Sequence, residues 1–365
     1  MVTIQQVIDH LEKIAHPSLQ ESYDNSGLTT GDPYLPVKGI LIALDCTEEV
    51  LDEAIASDCN LIITHHPVIF TGLKKLTGKN YTERIIIKAI KNDIALYAMH
   101  TNLDNVMHGV NKVLADKIGL KKQRILRPKS QMLKKLVTFC PTEHAERVRQ
   151  ALFEAGAGEI GNYDMCSFNL EGKGTFRGNE FSDPVYGNIG EFTAMEEIRI
   201  EVILESYKEE RVLEGLRNAH PYEEVSYFLT SLDNTYQGIG SGMIGQLGEP
   251  MDAMEFLQKI KTTIHGSCIR HTSIPVQKIE TVAICGGSGS FLLNDAIKSK
   301  ADAFITSDFK YHQFFDAEGK ILVADIGHYE SEQFTKELIY DSLIRKFTTF
   351  AIRLSDLNTN PVNYL

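Results

Sequence analysis

The hydrophobic positions in the first third of the chain follow two alternating spacings, which predict strands and helices in turn. Continuous apolar runs are typical of strands buried on both faces, and apolar residues at every third or fourth position indicate amphipathic helices. The predicted strands are 39–45, 61–66 and 94–99, and the predicted helices are 3–16, 81–91 and 109–118. This alternation predicts a largely parallel sheet flanked by helices, hence an α/β fold.

The middle of the chain follows a different order. Residues 121–133 are polar and basic, and this composition predicts a solvated linker. From 134 to 232 the pattern runs strand, helix, strand, strand, helix, strand, which predicts an inserted ferredoxin-like α+β module. The first pattern then resumes, with predicted strands over 281–285, 301–306 and 321–326 and a last helix over 330–346. We therefore expect 1–127 and 236–365 to form one α/β domain of two lobes.

Composition and charge narrow the possible functions. Hydrophobic residues make up 43% of the 365 positions and charged residues 24%, which are ordinary values for a soluble globular protein. The net charge of −12 argues against nucleic acid as a main partner, because phosphate binding requires clustered lysine and arginine. The scattered cysteines form no Cys-x-x-Cys pair, and neither a signal peptide nor a membrane span is expected. A cytoplasmic protein with reduced thiols is therefore predicted.

The most informative stretch is Leu61-Ile62-Ile63-Thr64-His65-His66-Pro67. An apolar run that predicts a buried strand ends in two adjacent histidines, and Pro67 then stops strand pairing. Two imidazoles therefore lie at the edge of a sheet where α/β proteins bind ligands. Taken alone, such a pair more often caps a strand or supports other residues than binds a metal.

Two further predicted strands also end in residues that can bind metal ions. Asp104 follows one of them, and His328 and Glu332 follow another. Because the carboxyl ends of parallel strands meet at one edge, we expect these residues to join His65 and His66. Taken alone, Asp104 is better explained as a turn or N-cap residue, and Glu332 is most simply a first-turn carboxylate favoured by the helix dipole. Together the five offer nitrogen and oxygen donors without sulfur, a set that suits Zn²⁺, Mn²⁺ or Fe²⁺ in a hydrolytic site.

The adjacency of the two histidines predicts how many ions are bound. Neighbouring residues on an extended chain point to opposite sides, so His65 and His66 are not expected to bind the same ion. Each can hold one ion while a carboxylate bridges the two, and we therefore expect two divalent metal ions. Two ions about 3.5–4 Å apart can share a hydroxide that attacks at neutral pH.

Other polar residues fall at the same predicted edge, and each has two interpretations. Asp308 and His312 can orient ligands or act as catalytic acid and base, or they can be a helix cap and a surface residue. His100 can support the metal ligands. Gly286-Gly287-Ser288-Gly289 can bind an anion, although it matches no nucleotide-binding fingerprint. Asp24-Asn25-Ser26-Gly27 is explained as a turn or as part of the cleft.

Taken together, these segments resemble the Nif-three-like dinuclear metal-centre family, whose members are called GTP cyclohydrolase 1 type 2 homologues. The matching motifs are Tyr23-Asp24-Asn25-Ser26-Gly27-Leu28, Thr64-His65-His66-Pro67, His100-Thr101-Asn102-Leu103-Asp104, Thr306-Ser307-Asp308 with Tyr311-His312, and Gly327-His328-Tyr329 through Glu332. The insert resembles the PII- or CutA-like module of longer bacterial members through Tyr163-Asp164-Met165-Cys166-Ser167-Phe168 and His220-Pro221-Tyr222-Glu223-Glu224. Ser307 departs from the family pattern, in which glycine is common, and leaves the metal ligands unchanged.

The resemblance has consequences for the site, the assembly and the activity. It implies a two-metal site formed by His65, His66, Asp104, His328 and Glu332, with Glu332 as the bridge. It implies a homohexameric, toroid-like assembly. It also implies a hydrolase that acts on GTP or on another nucleotide or phosphoester through a metal-bound hydroxide, with His312 or Asp308 moving a proton. The alternative is a regulatory or small-molecule-sensing protein in which the metal serves assembly or sensing without turnover.

Overall fold

The computed structural model describes all residues, Met1–Leu365, and divides into two compact units. The first unit combines Met1–Pro128 with Gln237–Leu365, and the second unit consists of Lys129–Tyr236. None of the helices combines the length and the apolar composition that crossing a membrane requires.

The secondary structure alternates strands and helices along most of the chain. The strands are β1 (Gly27–Thr30), β2 (Gly39–Ala43), β3 (Leu61–Thr64), β4 (Ala95–Ala98), β5 (Lys121–Lys129), β6 (Leu133–Pro141), β7 (Phe168–Phe176), β8 (Thr193–Glu205), β9 (Tyr227–Leu232), β10 (Tyr236–Asp252), β11 (Arg270–His271), β12 (Lys278–Ser288), β13 (Ala303–Ser307), β14 (Leu322–Asp325) and β15 (Ala351–Leu354). The α-helices are α1 (Ile4–Glu12), α2 (Glu48–Ala56), α3 (Tyr81–Lys91), α4 (Thr101–Asp104), α5 (Val110–Ile118), α6 (Ala145–Glu154), α7 (Glu209–Ala219), α8 (Ala253–Thr263), α9 (Leu293–Lys298), α10 (His328–Glu332) and α11 (Thr335–Lys346). Short 3-10 helices lie at Pro17–Leu19, Thr142–His144, Ser206–Lys208, Ser290–Leu292 and Tyr311–Ala317.

The first sheet of the first unit has the strand order β1-β4-β3-β2-β15. Only β1 runs antiparallel to its neighbour. The strands β2, β3 and β4 are buried along their whole length, because their continuous apolar runs pack into a separate hydrophobic cluster on each face. The strand β15 comes from the C-terminal segment, so both chain ends build this sheet.

The second sheet of the first unit has the order β11-β14-β13-β12-β10-β5. Its central strands β12, β13 and β14 are parallel, whereas β10 and β11 pair antiparallel at the sides. Two further hydrophobic clusters cover its faces. The predicted α/β class, with parallel strands flanked by helices and formed from both chain ends, is thus confirmed.

Two predictions about secondary structure are wrong. The basic stretch 121–133 is not a linker, since Lys121–Lys129 forms β5 at the edge of the second sheet and buries Ile125 and Leu126. The other residues of this edge strand are exposed or half-buried, and charged side chains are common on edge strands, which explains why its composition resembles that of a linker. The predicted helix 330–346 is two helices, α10 and α11, and α10 begins at His328.

The second unit is built around the four-stranded antiparallel sheet β7-β8-β6-β9. Along the chain its elements follow the order β6, α6, β7, β8, α7, β9. The helices bury their apolar sides against the sheet, in a core that includes Val148, Ile200 and Leu216. The likeness of this unit to PII or CutA proteins stays a prediction.

Candidate metal site

The ends of strands β3, β4 and β14 bring five potential metal ligands together in the first unit. His65 and His66 follow β3 directly, and Asp104 ends α4, the short helix after β4. His328 and Glu332 are the first and last residues of α10, which follows β14. A helix places residues four apart on one face, so both side chains of α10 reach the same point.

The first group of donor atoms consists of His66, His328 and Glu332. Oε2 of Glu332 lies 3.0 Å from Nε2 of His66 and 3.1 Å from Nε2 of His328. The two Nε2 atoms are 3.3 Å apart. Two imidazole nitrogens and a carboxylate oxygen that surround one point at these distances can act as ligands of a single divalent ion.

The second group consists of His65, Asp104 and the other oxygen of Glu332. Nε2 of His65 lies 3.7 Å from Oδ1 of Asp104 and 3.7 Å from Oε1 of Glu332, distances too long for hydrogen bonds. Both Nε2 of His65 and Oδ1 of Asp104 are buried without a hydrogen-bond partner. Because buried polar atoms almost always have a partner, these atoms fit a site in which an ion satisfies them.

The histidines of the two groups are held through their second ring nitrogen. Nδ1 of His65 lies 2.7 Å from the backbone oxygen of Met99, which can only accept, so Nδ1 donates and Nε2 is left to bind an ion. Nδ1 of His66 lies 2.7 Å from Oδ1 of Asp45. Carboxylate and carbonyl partners of this kind fix the ring orientation of metal-binding histidines.

Asp308 holds the third histidine in the same way. Its Oδ2 lies 2.7 Å from Nδ1 of His328. Asp308 has a φ of 59°, a left-handed conformation that costs energy for a residue with a side chain. The strained backbone directly after β13 thus places a carboxylate behind the ring of His328.

His100 lies beside both donor groups. Its ring centroid is 5.3 Å from that of His65 and 5.4 Å from that of His66, and its Nδ1 lies 2.7 Å from Oδ1 of Asp24. Asp24 also accepts hydrogen bonds from the backbone and side chain of Thr101. The segment around Asp24 therefore orients a histidine next to the candidate ligands.

The carboxylates around the imidazoles favour protonated histidines when no metal is bound. Burial alone would lower the pKa of His66, but its hydrogen-bonded partners Asp45 and Glu332 raise the pKa to about 9. Burial likewise opposes the charged form of His328, yet Glu332 and Asp308 raise the pKa of His328 to about 11. Protons and metal ions therefore compete for the same nitrogen atoms.

The pKa values of the two carboxylates of the site are shifted in opposite directions. Burial, together with the charge of Glu332, raises the pKa of Asp104 to about 8. Burial would also raise the pKa of Glu332, but the charges of the surrounding histidines hold this pKa well below its ordinary value. The site thus keeps one carboxylate ionised, and Asp104 gains its full charge only when a cation compensates it.

Gly287 allows Glu332 to reach the site. A Cβ atom at this position would lie 2.2 Å from Oε1 of Glu332, and the φ of 61° also favours glycine. The Gly287 N–H donates to Oγ of Ser331, and the Gly286 N–H donates to Oδ1 of Asn111. These N–H groups are therefore not available to an anion, and the glycines serve close packing instead.

The geometric argument about adjacent histidines needs correction. The imidazole rings of His65 and His66 do not point to opposite sides, since their centroids are only 4.9 Å apart. Strand pairing in β3 ends at Thr64, so the alternation of an extended strand no longer applies to the residues that follow. In the two donor groups that include Glu332 the two histidines are separate, because Glu332 presents a different oxygen to each, whereas a third possible group joins His65, His66 and His100.

His312 is not brought to the site. It is exposed on the 3-10 helix Tyr311–Ala317, and its ring contacts Tyr311 and Phe315 at centroid distances of 5.2 and 6.3 Å. Sequence reasoning named His312 but missed Asp45, which the same rule of polar residues at strand ends would have found after β2.

The donor groups open into a cavity of about 630 Å³. Several lining residues come from the strand ends and their loops, and others from α3, α5, β10 and segments near both chain ends. Acidic, aromatic and small polar side chains dominate the lining, among them Glu21, Tyr23, Phe70, Tyr81, Ser288 and Phe291. A volume of this size accommodates a small-molecule ligand.

The first unit is an α/β structure of two sheets that carries a candidate metal centre of histidine and carboxylate residues at its strand ends. The family model Duf34/NIF3 (NGG1p interacting factor 3) matches residues 2–361. The chain belongs to this family.

Relatives cover nearly the full length of the chain. A protein of Halalkalibacterium halodurans named GTP cyclohydrolase 1 type 2 homolog is 37% identical over 99% of this chain and 98% of its own length. A Bacillus subtilis protein of the same name is 35% identical over 99% of this chain and 98% of its own length. Among solved structures, a Bacillus cereus protein related to NIF3 matches with a TM-score of 0.88 and 38% identity over 100% of this chain and 99% of its own.

Proposed function

We propose that this protein is a hydrolase that depends on two divalent metal ions bridged by Glu332. The observation that carries the proposal is the division of the two Glu332 oxygens between different donor groups. One of these groups contains two buried atoms, Nε2 of His65 and Oδ1 of Asp104, without hydrogen-bond partners. Such an arrangement costs free energy unless cations occupy it.

The donor types support Zn²⁺, Mn²⁺ or Fe²⁺, because imidazole and carboxylate ligands without thiolates are typical of hydrolytic sites with these ions. When bound, the ions would polarise a substrate oxygen and lower the pKa of a water molecule. The overall reaction would add water to an electrophilic carbon or phosphorus atom, break the bond to the leaving group and transfer a proton to that group. GTP, which the names of the relatives suggest, is one candidate substrate, and another nucleotide or a phosphoester is the other.

The residues of this chain have separate tasks in that reaction. His65, His66 and His328 present Nε2 in a fixed orientation, because Met99, Asp45 and Asp308 hold their Nδ1 atoms. His100 lines the cavity, and its Nδ1 is held by Asp24. Its Nε2 is therefore the group of the chain that is placed to orient a substrate or to exchange a proton with it.

The proposal is tested with metal-loaded protein and a panel of nucleotides and phosphoesters. We expect turnover that Glu332→Gln and His66→Ala abolish while circular dichroism and assembly stay unchanged. His312→Ala is the matched control and should retain turnover, because His312 lies outside the donor groups. Absence of turnover across the panel with both metal sites filled would contradict the hydrolase.

A regulatory protein without turnover is the second candidate, and a feature of the second unit favours it. A cavity of about 650 Å³ lies over the sheet of that unit, and its lining includes the aromatic residues Phe139, Phe176, Tyr186 and Tyr222. Tight binding of a small molecule there, combined with no turnover at the metal site, would support this alternative. Binding of the same molecule by a Tyr222→Ala variant would argue against it.

A homohexameric assembly is proposed only on the resemblance to the family. Native mass spectrometry of the full chain tests it directly. A single species of six chains is expected, and a monomer at micromolar concentration would contradict the proposal.

A further inference from the structure

The cavity over the metal site contains many anionic groups, and its basic side chains are all histidines. Its lining includes the carboxylates of Glu21, Asp45, Asp104 and Glu332, but neither a lysine nor an arginine. Two divalent ions would carry four positive charges and would just balance these four carboxylates. Asp24 and Asp308, which face His100 and His328, add further negative charge behind the lining.

Arg127, which contacts the lining residue Phe291, is already engaged in other interactions. The guanidinium of Arg127 lies over the ring of Phe291 at 5.4 Å from the centroid and pairs with the carboxylate of Asp295. One of its nitrogens also donates to the backbone oxygen of Phe291. This arrangement holds the charge behind the aromatic ring that lines the cavity.

The charge balance limits what the cavity can bind. One phosphate or carboxylate group can be placed on the ions, but the second and third phosphates of a triphosphate would face carboxylates in a confined space. Phosphate and carboxylate groups that are forced close together repel each other strongly where solvent is partly excluded. The net charge of −12 on the chain adds a repulsive field for polyanions.

Aromatic side chains supply the other recognition element. Tyr23, Phe70, Tyr81 and Phe291 all line the cavity, and each is at least 52% exposed. The ring of Phe70 also lies edge-on to His100, with the centroids 5.7 Å apart. Large exposed aromatic residues gathered at one cavity mark a binding surface for flat, apolar groups.

From this lining we propose that the substrate is a planar aromatic molecule with at most one phosphate or carboxylate group, and that nucleoside triphosphates are poor ligands. The inference rests on the proposed metal-dependent hydrolase, whose substrate class it narrows. The ring lies against the aromatic residues of the cavity, and the single anionic or carbonyl group lies on the ions.

A series of ligands that share the guanine ring and differ in the number of phosphate groups tests how binding depends on ligand charge. Binding of guanosine, GMP, GDP and GTP to the full-length Mn²⁺-loaded protein is measured by calorimetry, with the metal content determined in each sample. We expect guanosine or GMP to bind at least about tenfold more tightly than GTP. GTP binding as tightly as GMP or more tightly would overturn the inference, as would failure of all four to bind to fully loaded protein.

A pair of variants sharpens the same experiment. Ser288→Lys adds a cation at an exposed position of the lining, and Ser231→Lys makes the same change at an exposed strand position of the second unit. Only Ser288→Lys should shift the preference toward GTP, by about tenfold. An equal shift in both variants, or no shift in either, would contradict the charge argument.

Failure of the inference and failure of the proposed function are distinguishable, because binding and turnover are measured separately. Tight binding of guanosine or GMP without turnover would support the inferred ligand class and contradict the proposed hydrolase activity. Turnover of GTP together with tight GTP binding would support the proposed hydrolase activity and contradict the inferred ligand class. Protein that binds no metal would remove both.

Discussion

A cavity in each unit of this protein contains charged side chains, and the two cavities differ in how these side chains are paired. In the second unit, two charged residues of the cavity have partners within the chain: Glu197 accepts a hydrogen bond from Tyr222, and Arg199 pairs with Glu201. Among the side chains of that cavity, only Nε of Arg199 is buried without a partner. In the first unit, a buried histidine and an aspartate oxygen face each other without a hydrogen bond.

The difference teaches how a metal site can be recognised without a metal. Both cavities contain several carboxylates, so a count of acidic residues does not distinguish them. What distinguishes the first is that donor atoms converge on two points and that two of them, Nε2 of His65 and Oδ1 of Asp104, are buried without a hydrogen-bond partner. The predictions below test whether this difference corresponds to metal binding in one unit only.

The largest effect is expected from removing the shared carboxylate charge. Glu332→Gln replaces the group that contacts both donor sets, so metal affinity should fall by more than about a hundredfold. The matched change Glu197→Gln, in the second unit, should leave metal content unchanged. Elemental analysis after dialysis measures both variants, and equal metal loss in the two would contradict the comparison.

Metal affinity should also depend steeply on pH. His66 and His328, with pKa values of about 9 and about 11, hold protons at neutral pH and must release them to bind an ion. Affinity should therefore rise with pH up to about 9 and fall as pH decreases, by roughly tenfold per pH unit for each displaced proton. Competition titrations with a chelator at several pH values measure this slope, and a flat profile between pH 6 and 8 would count against it.

A smaller effect is expected from the residues that hold the histidines. Asp308→Asn and Asp45→Asn keep the shape of the side chain but weaken its hydrogen bond to Nδ1 of the neighbouring histidine. Metal affinity should therefore fall about 10- to 100-fold. His312→Ala should have no such effect. Calorimetric titration with Mn²⁺ compares the three variants. Unchanged metal affinity in both aspartate variants would show that these carboxylates do not support metal binding.

The smallest effect is expected from a glycine exchange. Gly287→Ala places a methyl group against Oε1 of Glu332 in a left-handed backbone conformation, and should cost about 1–3 kcal/mol of unfolding free energy and about tenfold in metal affinity. Gly172→Ala in β7 meets no atom within 4 Å and should change little. Denaturant unfolding of both variants measures the difference, and equal stability would contradict the packing role of Gly287.

Much of the fold could be predicted because its central strands are buried on both faces. The apolar run before His65 can only be a strand or helix of the core, and its shortness and β-branched residues favour a strand. The edge strand β5 was not predicted, because only two of its residues, Ile125 and Leu126, are buried, and they stand among lysines and arginines. Whether such a segment pairs with a sheet depends on distant residues of β10.

The grouping of the candidate ligands was predictable only in part. The residues after β3 and β4 could be grouped because these parallel strands end at a common edge of the first sheet. His328 and Glu332 follow β14 of the second sheet, so the common-edge argument does not explain why they join the others. The supporting contacts could not be grouped in this way, because the pairing of Asp24 with His100 joins residues 76 positions apart. Gly287 was named only as part of a possible anion-binding loop, because its packing role appears only when Glu332 lies against it.

The central claim is that Glu332 bridges two metal ions, and anomalous X-ray diffraction from crystals of the Mn²⁺-loaded protein tests it most directly. We predict two anomalous peaks about 3.5–4 Å apart, one near His66 and His328 and one near His65 and Asp104, with Glu332 between them. A single peak, or no peak within bonding distance of Glu332, would contradict the claim.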